Sequence, residues 1–374
     1  MDLPLFVITD AMREYSRIRY VSYFIVPAYS ILLLFLGLHS GLFAGLAAAA
    51  KNVSSRGIAQ FTAFFLGFYV LMMAAKFPVT YLLSFVVQHH YRLSAQSFAG
   101  WFEDYVKAQL VSFGLSWLLV GVSMWVVDRF KRRWWLILWS TAVPIFVLAL
   151  FLMPLVFDPL FNKYTVMPDS PLKQRIVGIA ARAGIPDAPV YLVDKSKQTR
   201  SYNAYVTGLG SSARIVLWDN ILTLPEDQLL AIVGHEAGHY ARHHIMIGNA
   251  CAIAGMFVLF LVCGRFLPWV VPKLPPRWGV QSITSFTMVP VVYLGTTMVL
   301  FITDPIVNAV SRLMEQQADA YSVQMTGDGK ALARTFVALS TKNLADPDPP
   351  LFIELWSFSH PSLRRRLNEA LRHL

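Results

Sequence analysis

The chain has 374 residues, of which 56% are hydrophobic and only 14% charged, with a mean hydropathy of +0.50. That balance excludes an ordinary soluble domain and marks a protein embedded in the lipid bilayer. The net charge of +10 is spread over loops and the C-terminal segment. No basic patch is interleaved with aromatics, so no nucleic-acid partner is expected.

Six apolar stretches approach or exceed the roughly 20 residues that cross a bilayer. They are residues 21–50, 61–87, 108–127, 134–157, 245–264 and 278–303, and only Lys76 interrupts the second. The first is too long for a signal-peptide core of about 7 to 15 residues, and a retained span is expected. Cys251 and Cys263 fall on one helix of the fifth span, too far apart to bridge.

Two segments, 158–244 and 304–374, have soluble composition. Six crossings place both on the side of the N-terminus, where their residues can meet in one site. Four parts follow: a membrane region at 1–157, a polar segment at 158–244, two further spans at 245–303 and a C-terminal polar segment at 304–374.

Within the first polar segment, 171–183 has helical periodicity and stops at Gly184-Ile185-Pro186. Residues 190–193, 204–207 and 214–217 read as short strands of a small sheet. Thr223-Leu224-Pro225-Glu226 predicts a capping box, and the helix it opens carries Leu229, Ile232, Val233 and then His235, Glu236 and His239.

Positions i and i+4 share a helix face, so His235 and His239 can point at one metal with Glu236 beside it. A catalytic zinc commonly keeps three protein ligands and one water, so a third ligand is required. The extended pattern with Gly and His at the third and sixth positions after the second His fails, because those positions hold Arg242 and Ile245. Glu315 is the best candidate, and Asp319, one turn later, is placed to orient a ligating His. Taken alone, the two acids read more readily as a solvated helix face. His243 continues the four-residue series and reads as a wetted helix end; Lys76 is expected to face a watery interior.

With these motifs in view, the chain resembles the CAAX prenyl protease 1 family, which is related to the heat-shock membrane protease HtpX. The resemblance rests on 235–239, on Glu315 to Asp319 following Ser311-Arg312, on Phe77-Pro78 with 85–91, and on 159–163. It continues through 201–205 to Gly208, 214–217, and His360-Pro361 with Arg366, and covers residue 61 to the C-terminus. The family implies a mainly α fold. A polytopic bundle of membrane helices encloses a chamber, and a gluzincin-type metalloprotease domain contains the small sheet.

It also implies a zinc metalloendopeptidase in which His235, His239 and Glu315 hold Zn2+ and Glu236 is the general base. Asn203 and His360 become oxyanion donors; without the resemblance they read as a turn residue and a surface His. Ala204 and Tyr205, on the second expected strand, become substrate-binding positions, and Arg366 either anchors the C-terminal helix or meets a substrate carboxylate. The expected substrate is a peptide or protein, with a prenylated C-terminal segment leading and membrane-protein quality control as the alternative. A catalytically inactive binding or transport protein is disfavoured because all three ligands and the base are present. The expected location is a bacterial inner membrane or the endoplasmic reticulum. Lys51, Arg56, Arg129, Lys131, Arg132, Arg133, Lys273 and Arg277 lie opposite the catalytic segments, which points those segments away from the cytoplasm; Arg13, Arg17 and Arg19 on the catalytic side argue the reverse.

Overall fold

The computed structural model describes residues 5–152, 156–208 and 210–372. Helix α1 (Asp10–His39) begins where Thr9 Oγ1 accepts the Met12 N–H at 3.2 Å. It ends before Gly41, whose positive φ of 75° turns the chain into the short α2 (Leu42–Lys51). The stretch expected as one span at 21–50 is therefore two helices, because composition records apolarity but not the turn.

Helix α3 (Gly57–Tyr81) runs through a π turn at Leu82–Val86 into α4 (Val87–His90), and α5 (Phe98–Arg129) and α6 (Trp134–Leu152) follow. The expected fourth span ran to residue 157, and its residues 153–155 lie outside the described residues. After a small sheet and its flanking helices come α9 (His244–Val270) and α10 (Met288–Thr326). The sixth span starts ten residues later than expected, after 3-10 turns at Val271–Lys273 and Pro276–Trp278.

Helix α1, α3 with α4, α5, α9 and α10 are long and apolar enough to cross a membrane, and α6 is a shorter apolar helix beside them. Their outer faces expose Leu110, Trp125, Leu300 and Ile302 to lipid. Between them lies a cavity of about 590 Å³, lined by Phe65, Tyr69, Met124, Phe260, Cys263 and Tyr293 among others. The protein is a multi-pass membrane helical bundle with an internal chamber.

The sheet comprises β1 (Tyr164–Val166), β2 (Val190–Val193), β3 (Ala204–Thr207) and β4 (Arg214–Trp218), in the order β1-β2-β4-β3. The β2–β4 pair is parallel and the other two pairs are antiparallel. Strands β2, β3 and β4 match the expected positions; β1, whose residues are all half-buried or exposed, has no alternation that would announce it. Val190, Ala204, Val206, Ile215 and Leu217 pack against α7 (Pro171–Arg182) and α8 (Glu226–Ala241). Strand β3 is left at one edge.

Helices α11 (Gly329–Lys342), α12 (Leu351–Ser357) and α13 (Leu363–Arg372) complete the fold, and Leu332, Phe336, Leu367 and Ala370 form a second core with Ala231 and Val323. The membrane helices and the sheet-bearing segment are clasped by the loop before α5. Arg200 N–H donates to Leu93 O at 2.9 Å and Ser94 Oγ to Gln198 O at 2.6 Å. Asp104 on α5 accepts from both Gln96 and Gln198, at 2.6 and 3.0 Å.

Candidate metal centre

Helix α8 starts at Glu226 with Pro225 in the capping position, not through the expected box. Thr223 Oγ1 donates instead to Asn220 O at 2.8 Å and meets Tyr202 Oη at 2.7 Å. Glu226 and Asp227 in the first turn complement the positive end of the helix dipole.

Gly234 and Gly238, one turn apart, let α8 lie almost against the backbone of α10. A Cβ on Gly238 would stand 3.0 Å from Tyr321 Cβ and 3.1 Å from Ala318 Cα; on Gly234 it would stand 3.1 Å from Ser322 Oγ. Ser322 Oγ also donates to Ala231 O at 2.6 Å. This close approach brings Glu315 and Asp319 of α10 across to the histidines. Helix α10 is unbroken from Met288 to Thr326, so Glu315 rides on the membrane helix itself rather than on a separate segment.

His235, His239 and Glu315 each offer a ligand atom, all within 4.8 Å of one another. His235 Nε2 lies 3.2 Å from Glu315 Oε2, His239 Nε2 lies 3.3 Å from Glu315 Oε1, and the two Nε2 atoms are 3.2 Å apart. Metal–ligand bonds of about 2.0 to 2.1 Å in a tetrahedron place ligand atoms about 3.3 Å apart, so the spacing fits zinc. Glu315 Oε2 is buried without a hydrogen-bond partner although His235, His360 and Arg366 nitrogens surround it at 3.2, 3.3 and 3.5 Å. Burial alone pushes His235 toward its neutral form, but the Asp319 and Glu315 carboxylates outweigh it and raise its pKa to about 10. The pocket therefore favours positive charge at that point, as a cation site must.

Behind His235, its Nδ1–H donates to Asp319 Oδ1 at 2.8 Å. Arg366 Nε donates to Asp319 Oδ2 at 2.8 Å and Nη2 to Oδ1 at 2.7 Å, and its guanidinium sits 4.5 Å above the Phe336 ring centre. At 8% exposure, Arg366 is buried, with its Nε–Nη2 edge taken by Asp319. Of its two expected roles, the structure supports the anchor, made through that edge.

Glu236 sits beside His235 on α8, and burial raises its carboxyl pKa, with His235 and His239 pulling it back. His360, in the turn between α12 and α13, has its side chain half exposed and its Nε2 3.3 Å from Glu315 Oε2. Desolvation outweighs the attraction of Glu315 and lowers its pKa to about 4, so the ring is neutral at neutral pH. Ser359 Oγ lies 2.8 Å from its Nδ1. Arg312, quoted in the sequence only as part of a motif, holds this turn: its Nη1 donates to the carbonyls of Glu354, Leu355 and Phe358 at 3.1, 3.3 and 2.7 Å.

Asn203 is exposed at the entry to β3, its Oδ1 accepting the Ala204 N–H at 2.9 Å. Trp218 N–H donates to Asn203 O at 3.1 Å, and the register Tyr205↔Val216 continues the alternation. The peptide groups facing the free edge thus belong to Ala204 and Val206. Tyr205 directs its backbone at β4 and its hydroxyl at Tyr164 Oη, 3.1 Å away.

Sequence reasoning missed His244 and Gln317. The chain leaves the helix at His243, which has a φ of 57°, so the four-residue series stops and His244 packs against His239 instead.

The model of peptidase family M48 matches residues 167–374, and that of the CAAX prenyl protease N-terminal region, with five membrane helices, matches residues 8–163. The chain is 33% identical over 289 residues to an uncharacterized metalloprotease, YhfN, of Bacillus subtilis, covering 77% of this chain and 68% of the relative. It is 27% identical over 311 residues to CAAX prenyl protease 1 of Saccharomyces cerevisiae, covering 78% and 67%. The crystal structure of Ste24p from S. mikatae has the same fold, with a TM-score of 0.84 at 23% identity over 96% of this chain and 87% of that one. A membrane helical bundle, a His-His-Glu cluster beside an edge strand and these matches lead to one assignment: the chain is a membrane metalloprotease belonging to peptidase family M48.

Proposed function

We propose that the protein is a zinc endopeptidase that cleaves an extended peptide at the membrane boundary. The reading is carried by the His235, His239 and Glu315 cluster, built where a membrane helix emerges beside a free strand edge. His235 and His239 would bind through Nε2 and Glu315 through a carboxylate oxygen. Zinc held there supplies Lewis acidity for the attacking water and the scissile carbonyl.

Glu236 takes the water's proton and passes it to the leaving amine; its raised pKa suits both halves of that task. Asp319 fixes the His235 ring, leaving Nε2 free to bind. Neutral His360 can accept from Ser359 through Nδ1 and present its Nε2–H to the oxyanion, with the Asn203 amide as second donor. The substrate backbone pairs with Ala204 and Val206 as an added strand. This requires Asn203 to release the Ala204 N–H.

The substrate class we favour is a prenylated C-terminal peptide, supported by the likeness to proteins named CAAX prenyl protease 1. The test compares wild type with Glu236→Gln on prenylated and unprenylated peptides and on an unfolded membrane protein. Zinc content is expected to stay constant while cleavage falls by about 10² to 10⁴. Equal cleavage by both proteins removes Glu236 from the mechanism. Preference for the unfolded membrane protein moves the substrate to quality control.

A further inference from the structure

The two histidines of the cluster are held from behind by different chemistry. His235 leans on the Asp319 carboxylate, whereas His239 Nδ1 lies 3.0 Å from His244 Nδ1, and His244 Nε2 lies 3.0 Å from Gln317 Oε1. His244 is 4% exposed. If His239 binds metal through Nε2, one arrangement of protons satisfies every contact. His239 donates its Nδ1–H to His244 Nδ1, and His244 donates its Nε2–H to the Gln317 carbonyl oxygen. His244 is no fourth ligand, because its near nitrogen faces the side of His239 turned away from the cluster.

The backbone is bent to make this contact. His243 takes a left-handed conformation that a non-glycine residue seldom adopts, and this turn puts His244 against His239. His244 is also the first residue of the membrane helix α9, and Gln317 lies on α10 between Glu315 and Asp319.

We propose that His244 and Gln317 are positioning residues that orient His239 for zinc through an uncharged hydrogen-bonded chain and fasten the metal centre to α9 and α10. The proposal rests on the zinc reading above. It gives the centre one anionic support, Asp319, and one neutral support, Gln317.

The test is zinc affinity by chelator competition on purified full-length protein in detergent, with thermal unfolding of each metal-free form as control. His244→Leu removes the acceptor and is expected to weaken zinc binding about 10- to 100-fold. His244→Asn keeps an acceptor oxygen near the position of Nδ1 and is expected to stay within about threefold of wild type. Gln317→Leu is expected to weaken binding, and Gln317→Glu, which still accepts, to preserve it. Rescue by the two conservative variants separates hydrogen bonding from packing. Wild-type affinity in His244→Leu overturns the proposal, and so does equal loss in His244→Leu and His244→Asn. A wild-type protein that holds no zinc overturns the metal reading together with it.

Discussion

Helix α10 passes through two environments. Near its start, α3 and the segment leading into α10 meet through rings, with Phe64 and Phe286 stacked at 5.6 Å and Phe68 edge-on to Tyr293 at 6.4 Å. Near its end it meets α8 through glycine on one face and a buried line of charges on the other. The first region is held by shape and dispersion, which many apolar side chains can supply. The second is held by particular atoms at particular distances. Tolerance to substitution should therefore fall along a single helix, from the lipid end to the catalytic end.

The largest expected effect is at Asp319. Asp319→Leu leaves Arg366 buried without its anion and should cost about 3 to 5 kcal/mol in thermal unfolding, with zinc lost. Asp319→Leu combined with Arg366→Met should recover most of the stability and none of the zinc affinity. Met72→Leu, buried on α3, should cost less than about 1.5 kcal/mol. A destabilisation by Met72→Leu as large as that of Asp319→Leu would erase the contrast.

Arg312→Leu comes next. It strips three carbonyls of α12 and its following turn of their shared donor, at about 1.5 to 3 kcal/mol. Because the turn carries His360, peptide turnover should fall while zinc content holds. Loss of both together would place Arg312 in the metal centre instead.

Two glycines on either side of the same contrast give the third comparison. Gly238→Ala forces α8 off α10 and should cost about 1 to 3 kcal/mol, with weaker zinc binding. Gly295→Ala on α10, where nothing lies within 4 Å of the added methyl, should be neutral or stabilise by up to about 1 kcal/mol. Equal effects at the two sites would mean that the α8–α10 contact yields to a methyl group as readily as open space does.

What was legible in the sequence follows the same division. The apolar helices, three strands and the His-Glu-x-x-His helix could be read because each is a local pattern: long hydropathy, alternation, or residues four apart. Glu315 and Asp319 could be singled out by their motif, but their burial depends on α8 reaching α10, which Gly234 and Gly238 permit from a distance in sequence. The Arg366 anchor could not be separated from a substrate contact, since an arginine's partner is set by which helix ends meet. His243 was placed in the four-residue series because periodicity carries no record of a backbone turning left-handed. The free edge of β3 is hidden for a related reason: strand spacing identifies β3, but only pairing with β4 decides which peptide groups face outward.

The smallest expected effect is at Lys76, the one charge in the second apolar stretch. Its ammonium donates to Tyr293 Oη at 2.7 Å and lies 4.9 Å from that ring's centre, beside the chamber. An intramembrane charge is expensive to keep, and here its partner is a hydroxyl rather than an anion. Lys76→Met conserves volume, removes the desolvation cost and gives up one hydrogen bond, so the opposing terms should nearly cancel, to within about 1 kcal/mol. Zinc binding and peptide cleavage should be unchanged, because nothing links Lys76 to the buried line of charges at the other end of α10. Cleavage lost with fold and zinc intact would show that the chamber wall handles substrate, and the membrane half would then be working machinery rather than scaffold.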